Sequence, residues 1–155
     1  LLLPGPREVE REVQARLREG VPFAFCAVDV EGLRENVERR GFIWGHRVLS
    51  QTAELLRRMV RERGGEGAYL GHQRDDDFVL LVAPERAEAV ARDIARAFAR
   101  LLPVIQGEAS AEPLRLKTTV VVDPGGRFDR YTTLQGKVDA SRRRDTGDLV
   151  IVDSP

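Results

Sequence analysis

Five short apolar runs constrain the fold more than anything else in the sequence: Phe23–Val28, Ala68–His72, Phe78–Val82, Leu114–Val122 and Leu149–Val152. Each is too short for a buried helix and is bounded by charges or turn residues, the pattern of strands covered on both faces. The stretches between them carry apolar residues at helical spacing. Arg7–Glu19 places Val9, Val13 and Leu17 four apart and stops at Gly20; Gly32–Arg40 is a short helix. A longer helix is predicted over Trp44–Arg63, carrying Val48, Leu55, Leu56 and Met59, with Gly64-Gly65 at its end. Pro84 opens an amphipathic helix through Leu101, and Tyr131–Arg142 is a weaker one. Gln73–Asp77 reads as the polar tip of a β-hairpin, Gln106–Pro113 as a loop and Asp123-Pro124-Gly125-Gly126 as a turn. The order α-β-α-α-β-β-α-β-α-β, without internal repeat, predicts an α/β (α+β) fold. A ferredoxin-like sandwich similar to a polymerase palm, with a mostly antiparallel central sheet flanked by helices, satisfies it.

A length of 155 residues suits one domain spanning 1–155. The first residue is not methionine, so the domain is expected to be a piece of a longer protein. Twenty-five basic side chains balance 25 acidic ones, which argues against a nucleic-acid partner or an anionic membrane surface. No apolar stretch approaches the ~20 residues of a bilayer span, so no membrane insertion is expected. The single cysteine, Cys26, lies inside the first apolar run. An intrachain disulfide is thereby excluded, and a buried thiol in a reducing, cytoplasmic compartment is expected.

Two acidic clusters fall where such a sheet would bring strand ends together: Asp29-Val30-Glu31 and Asp75-Asp76-Asp77. Carboxylates from both could hold a hard cation such as Mg²⁺, although acidic residues at strand ends and turns are more often merely solvated. His46 and His72 are expected to pack or cap rather than ligate, and Trp44 and Phe42 to anchor a core or an interface. No Cys/His spacing suits zinc, and no Ser/His/Asp grouping is present.

The segment Gly71-His72-Gln73-Arg74-Asp75-Asp76-Asp77-Phe78, followed by an apolar strand, resembles the signature of the GGDEF (diguanylate cyclase) family, with Arg74 and Asp75 in place of its two glycines. Asp29-Val30-Glu31-Gly32-Leu33-Arg34 resembles the family's Asp-x-Asp-x-Phe-Lys. Gly41–Leu49 resembles its Tyr-Gly-Phe-x-x-Gly-Asp-x-Val-Leu, and Leu3-Pro4 its opening Leu-Pro. Order and separation match over nearly the whole chain. The resemblance implies a domain of bacterial cyclic-di-GMP signalling that binds GTP with Mg²⁺ and works as a facing pair.

Carried over residue by residue, the resemblance gives Asp29 and Asp76 as metal carboxylates. Arg34 stands in for a phosphate-contacting lysine, and Asp75 and Asp77 lie beside the nucleotide. The degenerate signature is Arg74, Asp75, Asp76, Asp77 and Phe78. Arg74 and Asp75 add bulk and charge where a glycine backbone lets the nucleotide approach. Val37 and His46 replace the asparagine and aspartate that read the guanine edge. Ala140–Arg144 stands for the Ala-Lys-x-x-Gly-Arg stretch without its lysine, and its arginines are expected to form a solvated basic helix end. Gly65–Ala68 lacks the Arg-x-x-Asp of the inhibitory product site. A catalytically impaired regulatory domain acting through neighbouring domains or a homodimer partner is therefore expected. The alternatives are a nucleotide receptor using Mg²⁺ and a residually active diguanylate cyclase.

Overall fold

The computed structural model describes residues 2–74, 76–106, 113–144 and 147–152. The elements are α1 (Pro6–Glu19), β1 (Phe23–Glu31), α2 (Leu33–Arg40), α3 (Phe42–Arg63), β2 (Tyr69–Arg74), β3 (Asp77–Val82), a 3₁₀ turn (Pro84–Arg86), α4 (Ala87–Gln106), β4 (Arg115–Asp123), α5 (Tyr131–Arg144) and β5 (Leu149–Val152). The sheet order is β2-β3-β1-β4-β5. β1 runs antiparallel to both β3 and β4, and β5 joins the far edge parallel to β4. The first four strands make the ferredoxin-like sheet that the element order predicts.

Successive side chains of β1 point to opposite faces, so one strand supplies both cores. Ala24, Cys26, Val28 and Val30 pack with Val48 and Leu56 of α3 and with Val90, Ile94 and Phe98 of α4. Phe23, Phe25 and Ala27 pack with Val9 and Val13 of α1 and with Leu134 and Val138 of α5. By the same alternation, Asp29 belongs to the α1/α5 side. Burial pushes the Cys26 thiol up to about 12, which leaves it inert at neutral pH.

Several boundaries differ from the sequence reading. β1 continues past Val28 to Glu31, because Asp29, Val30 and Glu31 stay paired with Lys117, Leu116 and Arg115 of β4. Asp29 thus sits inside the ladder rather than at the strand end. The hairpin tip is shorter than Gln73–Asp77, since Asp77 belongs to β3 and its Oδ1 accepts the Arg74 N–H at 2.7 Å. α3 starts at Phe42 rather than Trp44, and α4 runs past Leu101 and through Pro103 to Gln106. Proline removes one helical hydrogen bond, but Ile105 beyond it is buried in the core and holds the last turn. The rest of the expected loop, 107–112, lies outside the described residues.

The amino-terminal segment lies along the β2 edge, where the His72 N–H donates to the Pro4 carbonyl at 2.9 Å. Gly71 allows this approach. A Cβ there would fall 2.4 Å from Val9 Cγ2 and 3.0 Å from the Pro4 carbonyl oxygen. Gly71→Ala is therefore expected to cost about 1–3 kcal/mol through overpacking, read as a lower urea midpoint at unchanged slope. An unchanged midpoint would show that α1 does not sit against β2 this closely.

Candidate functional site: the strand tips and the end of α5

Three central strands place Asp77, Asp29 and Lys117 in one row, because Asp29 pairs with Asp77 on one side and with Lys117 on the other. Asp77 and Lys117 are buried, and Asp29 is partly so. Asp76 sits at the adjoining turn, where its carbonyl accepts the Val30 N–H at 3.4 Å. The fold thus brings together the two segments that carry the candidate metal carboxylates, Asp29 and Asp76.

α5 closes over this row. Arg142 Nε lies 3.0 Å from Asp29 Oδ2, and Arg142 Nη1 lies 3.5 Å from Asp77 Oδ2 and 3.8 Å from Asp139 Oδ1. Only 13% of the Arg142 side chain is exposed, so it is no solvated helix end, in contrast to the exposed Arg143 and Arg144. Lys117 Nζ donates to the Arg142 carbonyl at 3.1 Å, placing a cation at the helix C-terminus where the backbone dipole favours one. From the hairpin, Arg74 reaches Asp77 at 3.6 Å and Asp139 at 3.8 Å. Gln73 Nε2 donates to Gln135 Oε1 at 2.8 Å and to the Tyr131 hydroxyl, and Gln135 Nε2 donates to Asp139 Oδ1 at 3.0 Å. The signature hairpin and α5 are therefore tied along about three turns of helix, from Tyr131 to Arg142.

Burial dominates the electrostatics of Asp29 and raises its pKa to about 6; Arg142 opposes the rise, while Asp77, Asp76 and Glu31 reinforce it. At neutral pH Asp29 is still mostly ionised and paired. A carboxyl whose folded pKa exceeds its unfolded value binds its proton more tightly in the native state. Its contribution to stability is thus fullest below about pH 4 and is lost as pH rises to about 6. The expected loss is on the order of 2 kcal/mol after allowing for partial exposure. A carboxyl-carbon NMR titration should place the Asp29 midpoint near 6. A midpoint at the ordinary aspartate value would show that the site is more open to water than it is here.

These residues do not fit a Mg²⁺ ion as arranged. The Asp29 carboxylate already has a guanidinium against it, and the described residues contain no group of three or more His, Cys, Asp or Glu side chains able to hold a metal. The other expected positions lie as follows. Arg34 is exposed in the first turn of α2. Phe78 is a core residue under α3 and α4. Val37 packs on Gly45, where a Cβ would come within 2.6 Å of Val37 Cγ2. Its neighbour Asn36 is fully buried and donates to the Gly32 carbonyl at 2.8 Å. His46 is exposed rather than packed, and Phe42 is 81% exposed while Trp44 is buried. Asp75 lies outside the described residues.

The residues that sequence reasoning missed are Arg142, Lys117, Asp139 and Gln73. Lys117 carried one signal: it is a charge set between Leu116 and the run Thr118–Val122, and one of only two lysines in the chain.

No family model and no curated protein matches the chain. Solved structures do. The GGDEF domain of FimX from Pseudomonas aeruginosa superposes with a TM-score of 0.78 at 18% identity, covering 97% of this chain and 94% of that one. The GGDEF domain of YfiN from the same organism gives 0.75 at 20% identity, covering 99% of both chains. The active GGEEF domain of a diguanylate cyclase from Vibrio cholerae gives 0.73 at 16% identity, again covering 99% of both. This chain has the fold of a GGDEF domain. Two further neighbours are seen with additional parts, the cyclase SiaD with its activator SiaC and DgcB with a coiled coil. Among the described residues no helix is long and apolar enough to cross a membrane.

Proposed function

We propose that this chain is a catalytically impaired GGDEF-type regulatory domain of cytoplasmic cyclic-di-GMP-related signalling, which works by contact with neighbouring domains or a second copy rather than by turnover. The observation that carries this reading is Arg142, held 3.0 Å from Asp29 and 3.5 Å from Asp77. A cyclase would need Asp29, together with Asp76, for a metal ion. Here an internal guanidinium is paired with Asp29 and Asp77 and ties the hairpin to α5. Val37 and the exposed His46 add no guanine-reading group, and Arg74 leans across the hairpin to α5. Neighbours with an activator or a coiled coil attached are consistent with a domain that passes signals through contacts.

A second reading, a nucleotide receptor, has one observation in its favour. Arg142 Nη2 is buried without a hydrogen-bond acceptor, an arrangement that costs roughly 1–3 kcal/mol and that a phosphate oxygen would relieve. Calorimetric titration with GTP, ATP and cyclic di-GMP, each with and without Mg²⁺, separates the two. Absence of heat with every ligand supports the regulatory domain, and saturable binding of any of them establishes the receptor. Cyclic di-GMP found by chromatography after prolonged incubation with GTP and Mg²⁺ or Mn²⁺ would reject both in favour of an active cyclase.

A further inference from the structure

On the opposite side of the sheet from Asp29, the outer surface of α3 and α4 forms a groove of about 670 Å³. Leu55, Ala97 and Leu101 line it, and the guanidinium groups of Arg58, Arg61 and Arg100 rim it. These three arginines make no ion pair among the described residues, whereas arginines around them do: Arg57 with Glu54, Arg63 and Arg96 with Asp93, and Arg92 with Glu88. Glu54 is the acidic residue that lines the groove, and Arg57 already engages it. A chain with no overall charge therefore concentrates unneutralised positive charge along one apolar-floored channel. Gln51, also on the lining, buries a carbonyl oxygen with no donor.

We propose that this groove docks an acidic amphipathic helix from a partner protein or a neighbouring domain. Helical rise makes the channel from Gln51 to Arg61 roughly 15 Å long, close to three turns of a third helix laid between α3 and α4. Such a helix sets an apolar ridge against Leu55 and Leu101, and carboxylates three or four residues apart meet Arg58, Arg61 and Arg100. An extended peptide finds no strand edge here, because the helices satisfy their own backbones. A nucleotide finds no aromatic ring to stack on and no enclosing wall among the lining residues. Nor does the docking depend on whether the Asp29 site takes a nucleotide, since the two lie on opposite faces of the sheet.

The test uses the whole chain and a fluorescent helical peptide of about 14 residues, with leucines on one face and flanking glutamates. Fluorescence anisotropy should report saturable binding that weakens as salt is raised. It should fall at least about tenfold in the Arg58→Glu/Arg61→Glu/Arg100→Glu variant and be absent for the same peptide with lysines in place of its glutamates. All three substitutions are on exposed side chains, so an unchanged melting temperature verifies folding; Arg100→Glu alone should give an intermediate loss. Failure to saturate, equal binding to the charge-reversed variant, or a groove that binds inorganic pyrophosphate and not the peptide would each overturn the proposal. Because neither probe is a purine nucleotide, these outcomes are distinct from the calorimetric test of the Asp29 site.

Discussion

Replacing Arg142 with alanine is expected to destabilise the domain by about 3–5 kcal/mol, because it leaves Asp29 and Asp77 facing each other across adjacent strands without their shared counter-charge. For a domain of this size the loss corresponds to a fall in melting temperature of roughly 10 °C. The variant should also respond to divalent cations in a way the parent does not. With the guanidinium gone, the Asp29 pKa rises further, since Arg142 is the group that holds it down against burial and the neighbouring carboxylates. Millimolar Mg²⁺ or Mn²⁺ should then restore part of the lost stability by supplying the missing positive charge. Arg142→Lys should be intermediate, because a compact ammonium serves one carboxylate well and two poorly. Scanning calorimetry of the three proteins, with and without metal, measures these effects. A melting temperature unchanged by Arg142→Ala would show that the guanidinium is not what balances the site.

The second large effect is expected at Asp123, which lies outside the site but decides where α5 starts. Its carboxylate is buried and accepts three backbone N–H groups, from Gly125 at 2.7 Å and from Arg127 and Phe128 at 3.0 Å each. The turn can fold this way because Gly125 and Gly126 take positive φ values of 114° and 80°. Asp123→Ala orphans three donors at roughly 1–3 kcal/mol each, so a total loss of at least about 3 kcal/mol is expected. Asp123→Asn, which keeps one acceptor oxygen, should lose less. Because this turn sets the start of the helix that ends at Arg142, Asp123→Ala should also lower the Asp29 pKa toward its ordinary value as water enters. Amide exchange of α5 and the carboxyl titration of Asp29 together check this. Loss of stability with an unaltered Asp29 titration would mean that the turn and the site are independent.

Much of the fold was legible in the sequence. The continuous apolar run from Phe23 announced a strand buried on both faces, and Val9, Val13 and Leu17 announced the helix over one of them. The Asp123–Gly126 turn and the closing strand Leu149–Val152 were likewise visible from local chemistry. Strand ends were not, because pairing across β1 and β4 carries Asp29 through the ladder to Glu31 however polar the segment looks. The meeting of the Asp29 segment with the Asp76-Asp77 hairpin was legible from the element order, which sets strand ends beside a hairpin tip, and from the resemblance of their spacing to a known pattern.

What the sequence determined by itself was the succession of elements and the apolar side of each, since periodicity and turn chemistry are properties of neighbouring residues. Tertiary structure alone decided which charge meets which. Arg142, Arg143 and Arg144 are indistinguishable as a string, yet successive helical positions turn by about 100°, so one guanidinium goes onto the carboxylates of β1 and β3 while the next two residues stay exposed. Asn36 and Val37 make the same point: their neighbouring positions send the amide inward to Gly32 and the valine against Gly45. Strand register and helix rotation set such contacts, and both are fixed only when the two cores close on the sheet.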